Sequence, residues 1–458
     1  MPSGGYRRTL PTLKTETLDD ALEFAPDTMG TTHPGLWVVH SGEQPKHHVL
    51  ACGEGEHTLE VGRDELAAAG ILDGRVSRRH VRIELDDARW TVRDLGSRNG
   101  TFVDGRRVQS ARSLSAPVVR IGHTVMLPVG DRRPYEARGL VVRDGVVMGS
   151  SLLMLRDRIA LIALSGASVL ILGETGTGKE LCAEAFHTAS GQSLSRPFVA
   201  VNCATIQKEL AEGILFGARR GAYTGAVTDT LGLVQAANGG TLFLDEVAEL
   251  DLGVQAKLLR VLETKRVMPL GGVTPIEVNV RVCAATHKDL RVEVTEGRFR
   301  GDLYFRIGRP EVRLPALRER REEIPWLIER ALASSTTTRA KVTAGAEFVE
   351  ACMLRPWPGN VRELLAESKI AALSAMAAHH GSILATDLDE EAGRALASAD
   401  ESEVDARPEA PAPEPEAIEA ALRAEHGNVA RAAARLGVTR GRVRRYVERQ
   451  GIDVRTLR

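Results

Sequence analysis

The segment SVLILGETGTGKE, residues 168–180, joins an apolar strand to a glycine-rich loop that leads into a helix. The glycines allow backbone N–H groups to turn towards phosphate oxygens, and Lys179 can reach the β and γ phosphates of a nucleotide. The start of the following helix adds a favourable partial positive charge. The pattern predicts an ATP-binding loop that consists of Gly173, Glu174, Thr175, Gly176, Thr177, Gly178, Lys179 and Glu180.

Two acidic residues end a later apolar run, GGTLFLDE, residues 239–246. Asp245 can hold Mg²⁺, and Glu246 can orient the water that attacks a phosphate. A pair of acids at the end of a strand can also cap a helix. Because a phosphate-binding loop precedes it in this chain, the pair predicts an ATPase that uses ATP and Mg²⁺.

Arginines that could compensate phosphate charge follow further along the chain. FRGDLYFRI carries Arg300 and Arg306, and phosphoryl transfer often uses an arginine from a neighbouring subunit. Arg362 lies on a helix that begins with Pro-Gly-Asn, where it could sense a phosphate. The run RVCAATHKDL places Thr286 and His287 at the end of another strand, near the expected γ-phosphate.

The surrounding periodicity indicates several kinds of domain. Short apolar runs separated by Gly, Asp and Asn recur over residues 35–138, which is typical of an all-β sandwich. From residue 145 to about 390 strands alternate with helices, which predicts a parallel α/β domain followed by helical segments. We therefore expect a multidomain chain.

Composition narrows the function classes. The net charge of −1 marks neither a nucleic-acid nor a membrane partner for the chain as a whole. Five scattered cysteines without a CxxC pair favour reduced thiols, and no apolar run reaches the length of a membrane helix. The first residues lack the apolar core of a signal peptide. We expect a soluble, cytoplasmic protein.

Charge is distributed unevenly near the C-terminus. Residues 397–416 carry seven acids and one arginine in a segment rich in Pro and Ala, whereas residues 417–458 carry ten arginines and four acids. The acidic segment should be an extended linker. The change of sign across it suggests a nucleic-acid-binding tail.

The central motifs resemble those of the AAA+ domain of bacterial enhancer-binding proteins, the activators of sigma-54 RNA polymerase. The resemblance covers residues 147–385 and includes GETGTGKE, GAYTGA, GGTLFLDE, FRGDLYFR and WPGNVREL. In that family the loop usually ends in Glu, as it does at Glu180. The resemblance implies that Asn202 restrains Glu246, that Arg300 and Arg306 act on a neighbour in a hexameric ring whose inactive form is a dimer, and that Arg362 is a sensor.

The family resemblance also gives a role to RRGAYTGA, residues 219–226, which has neither helical nor strand periodicity. It resembles the GAFTGA loop, which contacts sigma-54 and couples ATP hydrolysis to promoter opening. Glycines at both ends can act as hinges, and the aromatic ring can grip a partner. Tyr223 replaces the usual Phe, which keeps the ring. The implied contact residues are Gly221, Ala222, Tyr223, Thr224, Gly225 and Ala226.

Three motifs in the β-rich segment, EVGRDE, GRVSRRHVRIEL and RDLGSRNGTFVDG, together resemble the forkhead-associated (FHA) domain, which binds phosphothreonine peptides. Converging guanidinium and hydroxyl donors suit a phosphate dianion. His80 and Gly100 should hold the loops together. The resemblance implies a phosphothreonine site that consists of Arg63, Ser77, Arg78, Arg98 and Asn99, with a ligand that comes from a Ser/Thr kinase pathway.

The C-terminal segment HGNVARAAARLGVTRGRVRRYVERQGI resembles the Fis-type helix-turn-helix that closes this family. Thr439 is placed to cap the second helix. Arginines on that helix would face a DNA groove or its phosphates. The expected DNA-binding residues are Thr439, Arg440, Arg442, Arg444 and Arg445.

Together these patterns predict five segments: a flexible tail (1–30), an FHA sandwich (31–138), an AAA+ sigma-54 interaction domain (147–385), an acidic linker (390–416) and a helix-turn-helix domain (417–458). The expected function is an ATP-hydrolysing activator that binds upstream DNA and remodels sigma-54 RNA polymerase, with input from phosphothreonine at the FHA domain. The alternatives are an AAA+ remodeller of another protein and a DNA-binding regulator that does not act on sigma-54.

Overall fold

The computed structural model describes residues 33–53, 57–86, 89–190, 196–222, 227–334, 342–395, 415–425, 432 and 435–436. The chain divides into two units, Met1–Arg394 and Ala395–Arg458. None of the described helices is long and apolar enough to cross a membrane. The predicted N-terminal tail, Tyr223–Ala226 of the GAYTGA loop and the predicted DNA-binding residues lie outside the described residues.

The first part of unit one is a β-sandwich. Its strands form a six-stranded sheet in the order β2-β1-β10-β9-β6-β7 and a four-stranded sheet in the order β3-β4-β5-β8. The elements are β1 (Gly35–Ser41), β2 (Gln44–Ala51), β3 (Thr58–Val61), α1 (Arg63–Ala68), β4 (Val81–Asp86), β5 (Arg89–Asp94), β6 (Thr101–Val103), β7 (Arg106–Val108), β8 (Ser110–Ser113), β9 (Val119–Ile121) and β10 (Thr124–Val129).

Apolar side chains alternate along these strands, as expected for a sheet with one face towards a core. Val81, Ile83, Val92, Val119 and Met126 all lie in the core between the two sheets. The six-stranded sheet is unusual because its other face is also buried, with Trp37, Val39, Val125 and Leu127 nearly inaccessible to solvent. Another part of the chain must therefore pack against this outer face of the sheet.

A short connector follows the sandwich. It consists of α2 (Arg133–Arg138) and an antiparallel hairpin of β11 (Val141–Arg143) and β12 (Val146–Met148). The ring of Tyr135 packs against Trp37, with 4.6 Å between the ring centroids. Val147 lies in the same cluster of buried side chains as Trp37.

An α/β layer comes next, with a parallel sheet in the order β14-β15-β18-β13-β19. Its elements are α3 (Ser150–Ser165), β13 (Val169–Leu172), α4 (Lys179–Ala189), β14 (Phe198–Asn202), α5 (Lys208–Phe216), α6 (Leu233–Ala236), β15 (Thr241–Asp245), α7 (Leu252–Thr264), β16 (Arg266–Val267), β17 (Ile276–Glu277), β18 (Arg281–Thr286), α8 (Leu290–Thr295), α9 (Gly301–Ile307) and β19 (Glu311–Arg313). Ligands bind such sheets beyond the carboxyl ends of the strands, and these ends carry the predicted site.

A helical lid completes unit one. It is built from α10 (Ile324–Ala333), β20 (Thr343–Ala344), α11 (Ala346–Met353), α12 (Asn360–Ala377) and β21 (Ser382–Ile383), with short 3₁₀ turns at Leu317–Glu319, Arg321–Glu323 and Ala385–Asp387. The lid covers the outer face of the six-stranded sheet, because Phe348, Val349 and Leu327 share one buried cluster with Trp37 and Val125. The sandwich and the lid thus have a common hydrophobic core.

The described part of unit two includes the helix α13 (Pro415–Ala424). Ile418, Ala421 and Leu422 of this helix are buried. Ion pairs join Arg423 to Glu419 and Arg435 to Glu425.

Candidate nucleotide site and phosphate-binding ledge

Lys179 begins α4 immediately after the glycine-rich loop, and its side chain is almost fully buried. Its Nζ donates to the carbonyl of Gly173 at 3.0 Å and to Glu246 Oε1 at 2.9 Å. Gly176 and Gly178 both have positive φ, at 78° and 105°, which glycine adopts readily. The loop therefore curls around the ammonium group of Lys179, as a phosphate cradle requires.

Glu246 connects three segments of the site. Its backbone is left-handed with a φ of 51°, and its Oε2 lies 2.7 Å from His287 Nδ1 and 3.3 Å from the His287 backbone N–H. Burial raises its pKa, but hydrogen bonds from Lys179 and His287 outweigh burial and hold the pKa below the usual value. Glu246 is thus an ionised carboxylate at the carboxyl end of the sheet, able to accept a proton or orient water.

Asp245 ends β15, and burial raises its pKa although Lys179 opposes the shift. Repulsion from the carboxylates of Glu246 and of the exposed Glu180 also raises the pKa of Asp245. The described residues contain no cluster of three His, Cys, Asp or Glu side chains arranged as a metal cage. Mg²⁺ in phosphoryl-transfer sites is held by one or two carboxylates together with substrate phosphates and water, so the residues present fit this ion.

The lid is clamped to the phosphate loop through Glu174. Arg318 makes a two-pronged ion pair with the Glu174 carboxylate at 2.6 and 2.9 Å, and Asn360 Nδ2 donates to the same carboxylate at 3.1 Å. The hydrogen bonds from Arg318, with help from Asn360, lower the pKa of Glu174 to about 2. Asn360 also donates to the carbonyl of Thr175 at 3.1 Å.

A direct backbone contact reinforces this clamp. The Val361 N–H donates to the Gly176 carbonyl at 3.1 Å, and a Cβ on Gly176 would lie 2.2 Å from the carbonyl oxygen of Gly359. Only a glycine allows this approach of loop and lid. Arg362 follows on α12 and lines the cleft, as a sensor of phosphate would.

The cleft has a volume of about 1260 Å³. Its wall includes side chains of the phosphate loop together with Asp245, Glu246 and Arg362. Val147 and Met148 of the connector hairpin also line it, and they supply an apolar surface suited to a base. Arg320 lies on the same wall, where it donates to the Thr177 carbonyl at 2.8 Å and to Glu323 at 2.6 Å.

Asn202 ends β14 directly beside Asp245 in the sheet register and lines the cleft. Its Oδ1 accepts from the Ala204 N–H at 2.9 Å and so caps the following 3₁₀ turn. Among the described residues no hydrogen bond joins Asn202 to Glu246. The role of Asn202 as a restraint on Glu246 stays a prediction.

Arg300 and Arg306 lie away from this cleft. Arg300 pairs with Asp302 at 2.7 Å just before α9, while Arg306 donates to the Leu262 carbonyl at 3.3 Å. Arg306 lines a separate cavity of about 580 Å³ together with Lys265 and Arg309. Neither arginine is among the residues that line the nucleotide cleft in the described part of the chain.

The base of the GAYTGA loop is held by backbone hydrogen bonds between three chain segments. Ala218 forms β-bridges with Thr230 and Leu270, and the Arg219 N–H donates to the Leu270 carbonyl at 2.9 Å. Arg219 also pairs with Asp229 across the base. Gly271, with a φ of 68°, packs against Ala222, so that Gly221 and Ala222 leave a braced platform. Tyr223, Thr224, Gly225 and Ala226 follow outside the described residues.

The predicted phosphothreonine residues come together at one edge of the sandwich. The Ser77 hydroxyl accepts from the Arg98 N–H at 3.1 Å, and the Ser77 carbonyl accepts from the Arg63 N–H at 2.9 Å. Asn99 Nδ2 donates to the Arg75 carbonyl at 2.6 Å. Arg78 lies between Ser77 and His80, exposed to solvent. These residues form the phosphate ledge: Arg63, Ser77, Arg78, Arg98 and Asn99.

His80 supports the ledge from below. Its ring is fully buried, with Nδ1 accepting from the Ser77 N–H at 3.1 Å and Nε2 3.1 Å from the Gly100 carbonyl. Burial lowers the pKa of His80, so the ring is neutral. One imidazole thus fixes the two loops that carry Ser77 and Asn99.

Four family models match the chain. They describe an FHA domain at residues 59–122, a sigma-54 interaction domain at 147–313, an AAA+ ATPase lid domain at 318–404 and a bacterial regulatory protein of the Fis family at 412–445. The chain belongs to the sigma-54-dependent regulators. The predicted fold class, a β-sandwich followed by an AAA+ domain with a helical lid and a helix-turn-helix, is confirmed for this sigma-54-dependent regulator.

The similar proteins include regulators with other inputs. The chain is 48% identical over 227 residues to the response regulator protein PilR of Pseudomonas aeruginosa, covering 48% of this chain and 50% of that protein. It is 40% identical over 318 residues to the anaerobic nitric oxide reductase transcription regulator NorR of Aeromonas salmonicida, covering 65% and 61%. The chain spans about half the length of the first of these curated relatives. NtrX from Brucella abortus in complex with ADP matches with 30% identity over 67% of this chain and 70% of that one, at a TM-score of 0.49.

The sequence patterns did not reveal several residues of the site. His287 was expected only near the γ-phosphate, yet it contacts Glu246 directly. Arg318 and Arg320 lie in the segment LPALRERREEI, residues 314–324. Nothing in this segment indicates which distant residues the two arginines contact. Val147 and Met148 lie in a hairpin that no pattern predicted, because the apolar run Val146–Met148 has only three residues.

Proposed function

We propose that this protein is an ATP-driven activator of sigma-54 RNA polymerase. It binds upstream DNA through its C-terminal helix-turn-helix, assembles from inactive dimers into a hexameric ring, and passes the energy of ATP hydrolysis to the polymerase through the GAYTGA loop. Recognition of phosphothreonine at the FHA domain regulates this activity.

The observation that carries the proposal is the braced base of the GAYTGA loop. A loop can transmit force only from a fixed platform, and the pairing of Ala218 and Arg219 with Thr230 and Leu270 supports such a platform. The segment lies between the phosphate loop and Glu246 in the chain, so a change at the γ-phosphate can be transmitted to it.

Hydrolysis is assigned to the cleft. Lys179 binds the β and γ phosphates, Glu246 orients and deprotonates the attacking water with His287 beside it, and Asp245 holds Mg²⁺. The metal, when bound, neutralises charge on the phosphates. Arg362 and the clamp on Glu174 place the lid against the phosphates, while Asn202 lies beside Asp245 as a second polar group.

Arg300 and Arg306 act on the nucleotide of the neighbouring subunit. Their distance from the cleft of their own chain supports this assignment, and a ring follows from it because each site then needs a neighbour. The DNA-binding assignment rests on Thr439, Arg440, Arg442, Arg444 and Arg445 of the Fis-type segment.

The test measures ATP hydrolysis and open-complex formation by sigma-54 polymerase in parallel. Thr224→Ala should keep hydrolysis and lose open complexes, because Thr224 lies in the loop and not in the cleft. Thr228→Ala is a matched control, since Thr228 is an exposed threonine two residues beyond the motif. It should keep both activities.

A wild-type protein that hydrolyses ATP but opens no sigma-54 promoter, with or without a phosphothreonine peptide, would contradict the proposal. A remodeller of another protein partner would then be the better account.

A further inference from the structure

Five exposed arginines lie on or next to the phosphate ledge. Three belong to it, Arg63, Arg78 and Arg98, and two lie next to it, Arg75 and Arg107. The hydrogen bonds already described place Arg63, Arg75 and Arg98 against Ser77 and Asn99. Arg107 approaches from β7, where its guanidinium lies so close to Gly100 that a Cβ there would be 2.3 Å from its Nε. The arginines therefore extend from the ledge beyond Asn99.

These arginines have no carboxylate partner among the described residues. The nearest acids are engaged elsewhere: Glu65 accepts from the Gly62 N–H at 2.8 Å, and Asp73 accepts from the His123 N–H at 2.7 Å. Asp94 accepts from Ser97 and Thr101. Glu65 and Asp73 keep their charge, and the exposed Asp64 is a third acid of this segment, but none of the three forms an ion pair with the five arginines in the described structure.

Several arginines elsewhere in the same unit pair with acids. Arg79 and Arg82 both pair with Glu60, and Arg132 pairs with Glu136. Unlike Arg79, Arg82 and Arg132, the five arginines at the ledge form no ion pair within the described part of the chain. A surface of one sign attracts and orients a partner of the other sign.

The charge exceeds what one phosphothreonine needs. A phosphothreonine carries about −1.5 to −2 charges at neutral pH, which Arg63 and Arg78 can balance with the Ser77 hydroxyl as a further donor. Arg75 and Arg107 are then left over: the Arg75 backbone carbonyl accepts from Asn99, and the Arg107 guanidinium lies beside Gly100, the residue after Asn99. Their forked guanidinium groups suit carboxylates and phosphates.

We propose that the FHA domain selects phosphothreonine segments with acidic residues next to the phosphothreonine, which Arg75 and Arg107 contact. This inference rests on the proposed phosphothreonine recognition and adds the class of ligand. A peptide is favoured over a nucleic acid because the ledge includes the Asn99 amide and the Ser77 hydroxyl, which suit a peptide backbone and a single phosphate.

The experiment measures the affinity of the full-length protein for three phosphothreonine peptide libraries by fluorescence anisotropy at fixed salt. The libraries differ at the positions adjacent to the phosphothreonine, which are acidic, alanine or lysine, and are degenerate elsewhere. We expect the acidic library to bind roughly ten-fold more tightly than the alanine library. Unphosphorylated libraries serve as the blank.

Single variants locate the effect. Arg107→Gln and Arg75→Gln should each lower affinity for the acidic library about three-fold and leave the alanine library unchanged. Arg75→Gln keeps the backbone carbonyl that Asn99 contacts. Arg112→Gln is the matched control, because Arg112 is an exposed arginine on β8 of the other sheet and should change neither affinity.

The outcomes distinguish phosphothreonine recognition from the selection of acidic neighbouring residues. Equal affinity for all three libraries overturns the acidic selection and leaves phosphothreonine recognition standing. Binding of no phosphorylated library overturns both. Binding of duplex DNA that competes with the acidic library and is lost in Arg107→Gln would reassign the arginines to nucleic acid and overturn the inference.

Discussion

Arg120 of the sandwich and Glu350 of the lid form a buried ion pair, with 2.6 Å between Nε and Oε2 and only 8% and 4% of the side chains exposed. The residues are 230 positions apart in the chain. Glu350 also accepts from the Gly105 N–H at 3.1 Å, so one lid carboxylate contacts both the strand β9 and the turn between β6 and β7. The FHA domain is therefore fastened to the lid of the ATPase.

Removing one partner of this pair should destabilise unit one. Arg120→Met leaves the Glu350 carboxylate buried without its charge partner, which should cost about 3–5 kcal/mol of unfolding free energy. The double variant Arg120→Met/Glu350→Met should recover most of that loss, since two apolar side chains leave no unpaired charge. Urea denaturation measures both. An Arg120→Met loss of less than 1 kcal/mol would contradict the assigned role.

The same pair should carry a signal from the FHA ledge. Asn99 bonds to the Arg75 carbonyl, the Arg75 N–H to Asp73, and Asp73 to the His123 N–H. His123 follows Gly122, whose carbonyl lies 3.5 Å from Arg120. A phosphothreonine peptide that changes the ATPase rate of the wild type should leave the rate of Glu350→Gln unchanged while still binding. Glu329→Gln is the control, because Glu329 is an exposed glutamate on α10 of the lid, and it should keep the response. A full response in Glu350→Gln would show that the signal takes another route.

Glu246→Gln should separate nucleotide binding from hydrolysis. The amide keeps the size of the side chain, and its oxygen can still accept from Lys179, but it cannot take a proton, so the ATPase rate should fall at least 100-fold. Binding of a fluorescent ATP analogue should persist. Lys179→Ala should instead lose binding. The assignment of Glu246 as the base would be wrong if Glu246→Gln hydrolysed ATP at more than a tenth of the wild-type rate.

Arg306→Ala and Glu246→Gln should complement each other when mixed. Each variant alone lacks one half of every site, but a mixed ring contains sites in which an intact Arg306 of one subunit faces an intact Glu246 of its neighbour. The ATPase rate of the mixture should exceed that of either variant severalfold. Arg260→Ala, an exposed arginine on α7, should be active alone. Absence of recovery in rings that exchange subunits would place Arg306 in its own site.

Glu322 should make stability depend on pH. Burial, together with repulsion from Glu323, raises the pKa of Glu322 to about 8 from a usual value of 4.5. Because the folded state then binds the proton more tightly than the unfolded state, stability is highest below pH 4.5 on this account and falls as pH rises towards 8. Glu322→Gln should remove most of this slope, while the exposed Glu390→Gln should leave it. Urea midpoints at several pH values measure the slope, and an unchanged slope in Glu322→Gln would assign it to other groups.

The phosphate loop was predictable because its chemistry is local. Gly173–Glu180 carries its donors within eight consecutive residues, and Asp245 and Glu246 end a strand that its apolar run already marks. Pairing between distant segments has no such signal. The ion pair of Glu174 with Arg318 joins residues 144 positions apart, and neither local sequence indicates that the two residues are in contact.

The helix α1 shows a second limit of the sequence. Its six residues, Arg63–Ala68, are too few for a periodic pattern, although they place Arg63 on the ledge. The burial of both faces of the six-stranded sheet was equally hidden. Trp37 and Val39 alternate with Leu36 and Val38, so the strand β1 is apolar throughout, and its second covering layer lies some 300 residues further along the chain.

That doubly covered sheet limits how the regulator can be taken apart. Cutting the chain after the sandwich would leave the lid with a bare apolar flank where Trp37 and Leu127 had packed, and an exposed patch of that kind promotes aggregation. A change of sensory module during evolution would meet the same demand, because any replacement has to present a matching apolar face to Phe348 and Val349. In this protein the FHA domain is also a structural part of the ATPase, because its sheet forms one side of the lid's hydrophobic core.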